Sequence, residues 1–180
     1  MLSVADCSQA LQAPLMQQII RVESSGNPFA IGVVGNQLVR QPRSLQEAVA
    51  TVHALQKQGL NFSIGTGQVN KVHFARLGWA EDVSRGFDVC ANVLAAAGIY
   101  NDCHARALQA GYGPAASSLH TVDSNSDASL HAALSCYYSG DFERGARLGY
   151  VTKVLRDKPG PGDVPKPRTR TIGAISMMVD

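Results

Sequence analysis

The sequence predicts an α+β fold that is mainly helical, with one small β-hairpin element, and three observations carry that prediction. Apolar residues recur at helical spacing in most segments bounded by Gly, Pro or Asp. Two stretches, Ala30 to Gln41 and Asn61 to Asn70, combine glycines with β-branched residues in the manner of short strands and tight turns. A chain of 180 residues that is 45% hydrophobic can bury one ordinary core. One globular domain over residues 1–156 and a C-terminal tail over 157–180 are therefore expected.

The elements follow in chain order. Pro14 suits a first helical position, and Leu15, Met16, Ile19, Ile20 and Val22 supply an apolar face until Ser25-Gly26-Asn27-Pro28 stops the helix, giving Pro14 to about Ser24. Gly35-Asn36 lies between Ile31-Gly32-Val33-Val34 and Gln37-Leu38-Val39-Arg40, which predicts a hairpin turning at those two residues. Ser44 followed by Glu47 forms a capping box, and Ala48, Val49, Val52 and Leu55 continue the helix until Gly59. Asn61 to Asn70 reads as a short extended piece and a tight loop, and Lys71 to Leu77 as a short helix.

Asp88 can cap a long helix from Val89 to about Gln109, with Val93, Leu94, Ala97, Tyr100 and Leu108 on its buried side and Gly111 beyond its end. Gly113 to Ser126 has loop composition, after which Asp127 caps Ala128 to Tyr138 and Gly140 ends that helix. A last helix is expected over roughly Phe142 to Leu155. The tail holds Pro159, Pro161, Pro165 and Pro167 and reads as a linker.

Sixteen basic against fourteen acidic residues leave a net charge of +2, with no Lys/Arg run to track a nucleic-acid backbone. No apolar stretch approaches the roughly 18 residues that span a bilayer, and the first residues lack the pattern of a signal peptide. An exported protein with this start is expected to be a mature form whose leader was replaced by Met1. No Walker loop or GxGxxG string implies a nucleotide cofactor, and His53, His73, His104, His120 and His131 form no tight metal-ligand pattern, so no cofactor or metal is expected.

Cys7, Cys90, Cys103 and Cys136 include no CxxC pair, which favours disulfides over a zinc site. Cys90 and Cys103 fall in one predicted helix, where thirteen steps of ~1.5 Å separate them by about 20 Å. A disulfide needs Cα atoms within roughly 7 Å. Their partners are then Cys7 and Cys136, in either combination, and two such bonds point to an oxidising compartment.

Leu11, Leu15, Ile19 and Glu23 follow one another at steps of four, so Glu23 stands at the end of the apolar face of the Pro14–Ser24 helix. Burial and the negative end of the helix dipole both disfavour its ionised form. A carboxyl kept protonated near neutral pH is what a general acid for a glycosidic oxygen requires.

Three ordered strings extend this reading: Arg21-Val22-Glu23-Ser24-Ser25-Gly26-Asn27-Pro28-Phe29-Ala30-Ile31, Gly65-Thr66-Gly67-Gln68-Val69-Asn70 and Cys136-Tyr137-Tyr138-Ser139-Gly140. Phe74 to Gly78, Phe87 to Asn92 and Ala132 to Cys136 add to them. Together, over about Leu11 to Gly140, they resemble the soluble lytic transglycosylase family (SLT domain, lysozyme-like fold), in the branch that accompanies type IV secretion and conjugation machines.

The resemblance implies that Glu23 is the catalytic acid and that Tyr137 reaches toward its carboxyl. Ser24, Gln68, Asn70, Asn92 and Tyr138 are implied as substrate-binding residues. Two positions depart from the family pattern: Tyr138 stands where Asn is common, and Thr66 where an apolar residue is frequent. Both could alter the glycan cleft. Neutral amides and hydroxyls suit the task, because they bind sugar hydroxyls and acetamido groups without stabilising the carboxylate as a cation would.

The implied reaction uses one Glu twice. It protonates the oxygen between N-acetylmuramic acid and N-acetylglucosamine, then draws the proton from the muramyl 6-hydroxyl, closing a 1,6-anhydro ring. A hydrolase would need a second carboxylate about 5–9.5 Å away, and no second acid here belongs to a recognisable motif. The expected partners are peptidoglycan glycan strands and type IV secretion components, in the periplasm. A hydrolytic lysozyme and a peptidoglycan-binding assembly factor with little catalysis stay open as alternatives.

Overall fold

A computed structural model describes residues 4–113 and 126–156. The predicted tail and residues 114–125 of the predicted loop lie outside the described residues. The chain forms two compact units, one running to Ala96 and one starting at Ala97.

The first unit opens with α1 (Val4–Gln12) and α2 (Pro14–Ser24). The sequence predicts α2 to the residue but not α1. Pro14 separates them because the residue before a proline is driven out of the α region, and Ala13 sits at ψ 122°. The short α1 is held by Cys7, which is buried and disulfide-bonded to Cys90 at a Cα separation of 5.3 Å. Ser25 ends α2 in the left-handed region at φ 55°, donating its N–H to the Arg21 carbonyl.

Three short strands form an antiparallel sheet in the order β1 (Ile31–Val33), β2 (Phe62–Ile64), β3 (Val69–Asn70). A small β element is thus present, but the hairpin expected within Ala30 to Gln41 is not. The turn exists, with Asn36 N–H donating to the Val33 carbonyl, yet β1 pairs with β2 and not with Gln37 to Arg40. Packing explains the choice: β2 brings Phe62 and Ile64, both fully buried, whereas Val39 is 62% exposed. The other side of β1 is closed by the Gln41 side chain. Its Oε1 accepts from Ile31 N–H at 2.8 Å and its Nε2 donates to the Ile31 carbonyl at 3.0 Å.

The register sorts the two sheet faces. Ile31, Ile64 and Val69 align across the strands and are buried, while Gly32, Ser63 and Asn70 align on the opposite face. Behind the buried face, Phe62 meets Phe74 edge-on at 6.0 Å and Phe74 meets Trp79 at 5.8 Å. Phe74 belongs to α4 (Phe74–Leu77), which continues a 3-10 turn over Lys71–His73 as the predicted short helix.

Between β1 and β2 runs α3 (Leu45–Lys57), buried through Ala48, Val52 and Leu55. Ser44 Oγ accepts from Glu47 N–H at 3.2 Å, the first half of the predicted capping box. The Glu47 carboxylate turns instead to the Arg43 N–H at 2.9 Å and to the Arg40 guanidinium at 2.8 Å. Arg40 first, and then the Arg43 N–H, pull the Glu47 carboxyl down to about 2.

The long helix α5 (Val89–Ala107) starts on Asp88, whose Oδ1 accepts from Ala91 N–H at 2.8 Å. A wider π-type turn over Leu108–Tyr112 follows, with Gly111 at φ 87°. Leu108 is 44% exposed and so is not on the buried side; that side carries Asn92, Val93, Ala96, Ile99, Cys103 and Ala107.

In the second unit, α6 (Ser126–Ser139) begins one residue before the predicted cap Asp127, and Gly140 ends it at φ 76°. Cys103 bonds to Cys136 and, with Ala133, forms a buried cluster flanked by Tyr100 and Phe142. The single helix expected from Phe142 to Leu155 is two, α7 (Arg144–Arg147) and α8 (Tyr150–Arg156), because the chain reverses at Gly149, φ 78°. Gly145 lets α7 approach α6: a Cβ there would lie 2.7 Å from Ser135 Cα, and Gly145 N–H donates to Ser135 Oγ at 2.7 Å.

Candidate active site

Glu23 occupies the last turn of α2, half-buried, one turn beyond the fully buried Ile19. Its neighbour Ser24 fastens that helix end to the loop between β2 and β3. Ser24 Oγ donates to the Thr66 carbonyl at 2.7 Å, and accepts from Gly26 N–H at 3.1 Å. Ser24 is thus a strut between the first and second sequence strings, and its hydroxyl hydrogen is engaged within the protein.

The loop itself, Gly65 to Gln68, is a four-residue connection closed by Gln68 N–H donating to the Gly65 carbonyl at 3.1 Å. Gly65 at φ 76° and Gln68 at φ 52° both adopt the left-handed conformation. Glycine is required at 65, because a Cβ would lie 2.2 Å from Asn92 Nδ2 and 2.6 Å from the Gly86 carbonyl oxygen. Thr66 is 4% exposed, and its Oγ1 has no hydrogen-bond partner among the described residues. Its departure from the family pattern therefore falls on a buried side chain.

Gln68 is half-buried with a fixed amide. Nε2 donates to the carbonyls of Ala30 and Gly65, each at 3.0 Å. Two carbonyl neighbours admit only the nitrogen on that side, so Oε1 is turned the other way, toward Gly32. Asn70 is also half-buried; its Oδ1 accepts from Val72 N–H at 3.1 Å, capping the 3-10 turn, and its Nδ2 donates to Ser63 Oγ at 3.2 Å.

Asn92, expected among the substrate-binding residues, lies inside the fold. It is fully buried, and its amide is spent on backbone: Oδ1 accepts from Gly67 N–H at 2.6 Å, while Nδ2 donates to the carbonyls of Ile64 at 2.9 Å and Gly86 at 2.7 Å. It holds the loop from below. The signal was present in the sequence, since Asn92 shares one inward stripe with Ala96, Ile99 and Cys103 at helical spacing.

Within the first unit the fold thus brings Ser24, Gln68 and Asn92 onto one loop, with Glu23 at the helix end bound to it and Asn70 at its far margin. Tyr137 and Tyr138 lie on α6 of the second unit. Tyr137 is half-buried; Tyr138 is 49% exposed and stacks on Tyr150 with ring centroids 4.5 Å apart. Sequence reasoning missed Gly32, Gly86 and Gln41, whose parts depend on long-range approach. All four cysteines are paired, as Cys7–Cys90 and Cys103–Cys136, one of the two combinations left open. Among the described residues no helix is long and apolar enough to cross a membrane, and no group of three or more His, Cys, Asp or Glu could hold a metal ion.

Residues 1–155 match the transglycosylase SLT domain. The chain is 38% identical over 154 residues to the type IV secretion system protein virB1 of Brucella abortus, and equally to those of Brucella melitensis and Brucella suis. The match covers 83% of this chain and 59% of each relative, so the chain spans about three fifths of their length. No solved structure matches significantly. The chain therefore belongs to the transglycosylase SLT-domain family.

Proposed function

We propose that this chain is a periplasmic lytic transglycosylase of peptidoglycan. It cleaves the β-1,4 bond between N-acetylmuramic acid and N-acetylglucosamine and leaves a 1,6-anhydro end. The observation that carries the reading is Glu23, half-buried at the end of α2 and joined through Ser24 to the Gly65–Gln68 loop, in a chain matched along most of its length by the SLT domain. Glu23 is the acid that protonates the glycosidic oxygen and then the base that accepts the 6-hydroxyl proton. Gln68 and Asn70 present amides to the glycan. Tyr137 and Tyr138 keep the catalytic and substrate-binding roles that their motif implies.

Likeness to virB1 proteins supports a place beside a type IV secretion or conjugation apparatus, opening the wall locally for its assembly. The two disulfides suit the periplasm. Mass spectrometry of products from purified peptidoglycan tests the reading. Anhydromuropeptides are expected, with release lowered roughly 100-fold or more by Glu23→Gln. Reducing ends would support a lysozyme, and release at the parental rate by Glu23→Gln would remove that residue from the mechanism.

A further inference from the structure

We infer that Gly32 is a positioning residue for glycan binding, acting by keeping free the seat in which the Gln68 amide is held with its Oε1 offered to a donor group of the sugar. The inference rests on the glycan-cleaving reading above and adds to it a residue that neither the motifs nor the family comparison singles out.

Three observations converge on it. First, Gly32 is on the solvent side of β1, opposite in direction to the buried Ile31, and a Cβ at this position would lie 2.6 Å from Gln68 Oε1. Contacts that short do not persist, so either the side chain or the amide must move. Second, the amide cannot shift freely, because Nε2 is bonded to both Ala30 and Gly65 carbonyls, and moving Oε1 by an ångström breaks one of these bonds. Third, both Nε2 hydrogens are taken, whereas Oε1, a carbonyl oxygen with two lone pairs, faces the one residue of the strand that has no side chain. The group thus presented is an acceptor of fixed direction. Its complement on a glycan is a hydroxyl or an acetamido N–H.

Gly32 is not needed for its backbone, which lies outside the left-handed region that favours glycine. Alanine at 32 therefore permits the fold and disturbs only the Gln68 side chain. The reverse removal is also tolerated: without the Gln68 amide, the Ala30 carbonyl keeps Gly65 N–H at 2.8 Å and the Gly65 carbonyl keeps Gln68 N–H at 3.1 Å.

The test is a double-mutant cycle read by binding. Gly32→Ala, Gln68→Ala and the double variant are compared in a Glu23→Gln background with soluble, peptide-free peptidoglycan glycan strands, using calorimetry. Each single change is expected to weaken binding roughly 3- to 10-fold, the loss of one hydrogen bond. Gly32→Ala is expected to add nothing once Gln68 is truncated, and to lower the melting temperature by no more than the ~2–4 °C of one lost hydrogen bond. Gln68→Asn, which suits the left-handed backbone, serves as a second truncation and is expected to behave as Gln68→Ala. Parental affinity in Gly32→Ala, losses that multiply in the double variant, or no binding by the Glu23→Gln parent would each overturn the inference. Failure of the lytic reading is seen separately, as absence of anhydro products from the protein with Glu23 intact.

Discussion

Replacing Asn92 by alanine is expected to be among the most damaging single changes in the first unit, and the size of the effect follows from what the side chain holds. Truncation removes three hydrogen bonds to buried backbone, from Gly67 N–H and to the Ile64 and Gly86 carbonyls. At about 1 kcal/mol for each bond that is roughly 3 kcal/mol. The void at a site with no exposed surface adds about 1–2 kcal/mol. A total of about 4–5 kcal/mol corresponds to a fall in Tm of roughly 10–15 °C for a chain of this size. Urea unfolding monitored by circular dichroism measures it. Asn92→Asp keeps the shape but turns an oxygen toward two carbonyls, so it is expected to be no better than alanine. A loss below about 1 kcal/mol for both variants would refute the view that Asn92 supports the loop from within, and would return it to the surface-binding role its motif suggested.

Two further predictions follow from groups away from the loop. Glu47 is held by Arg40 and the Arg43 N–H, so its carboxyl is expected to titrate at about 2 and to return toward 4.5 in Arg40→Ala, as read by NMR of the side-chain carbon. Because the folded value is the depressed one, whatever stability this group contributes is present above pH 4.5 and lost as pH falls toward 2. The disulfides close separate loops, with sequence separations of 83 for Cys7–Cys90 and 33 for Cys103–Cys136. Chain entropy gives about 4.6 and 3.7 kcal/mol for them, so replacing either pair by alanines is expected to lower unfolding free energy by about 4 kcal/mol, additively. Guanidinium titrations of the two paired variants and their combination check this, and a loss confined to one pair would contradict it.

Helix limits were legible where the signal is local. Pro14 and Ser25 bracket α2, Ser44 caps α3, Asp88 starts α5 and Gly140 ends α6, each through a backbone preference or one short-range hydrogen bond. Where local signals compete, the reading failed. Gly35-Asn36 forms a turn, but which strand then pairs with Ile31–Val33 was settled by the burial of Phe62 and Ile64, about thirty positions away. Gly149 breaks the last helix although apolar spacing continues past it.

The candidate site divides in the same way. The residue types and order of Glu23, Ser24, Gln68 and Asn70 stand in the sequence, and so does the pattern that marks the family. The sequence by itself determined the helices between Pro14 and Gly140 and the chemical inventory of the loop, because those depend on neighbours within four residues. Only the tertiary structure decided that Asn92 faces inward, that Gln68 is seated over Gly32, and which cysteines meet. Each of these is fixed by groups far apart along the chain, whose approach depends on how helices and strands pack and on the need to satisfy every buried polar group.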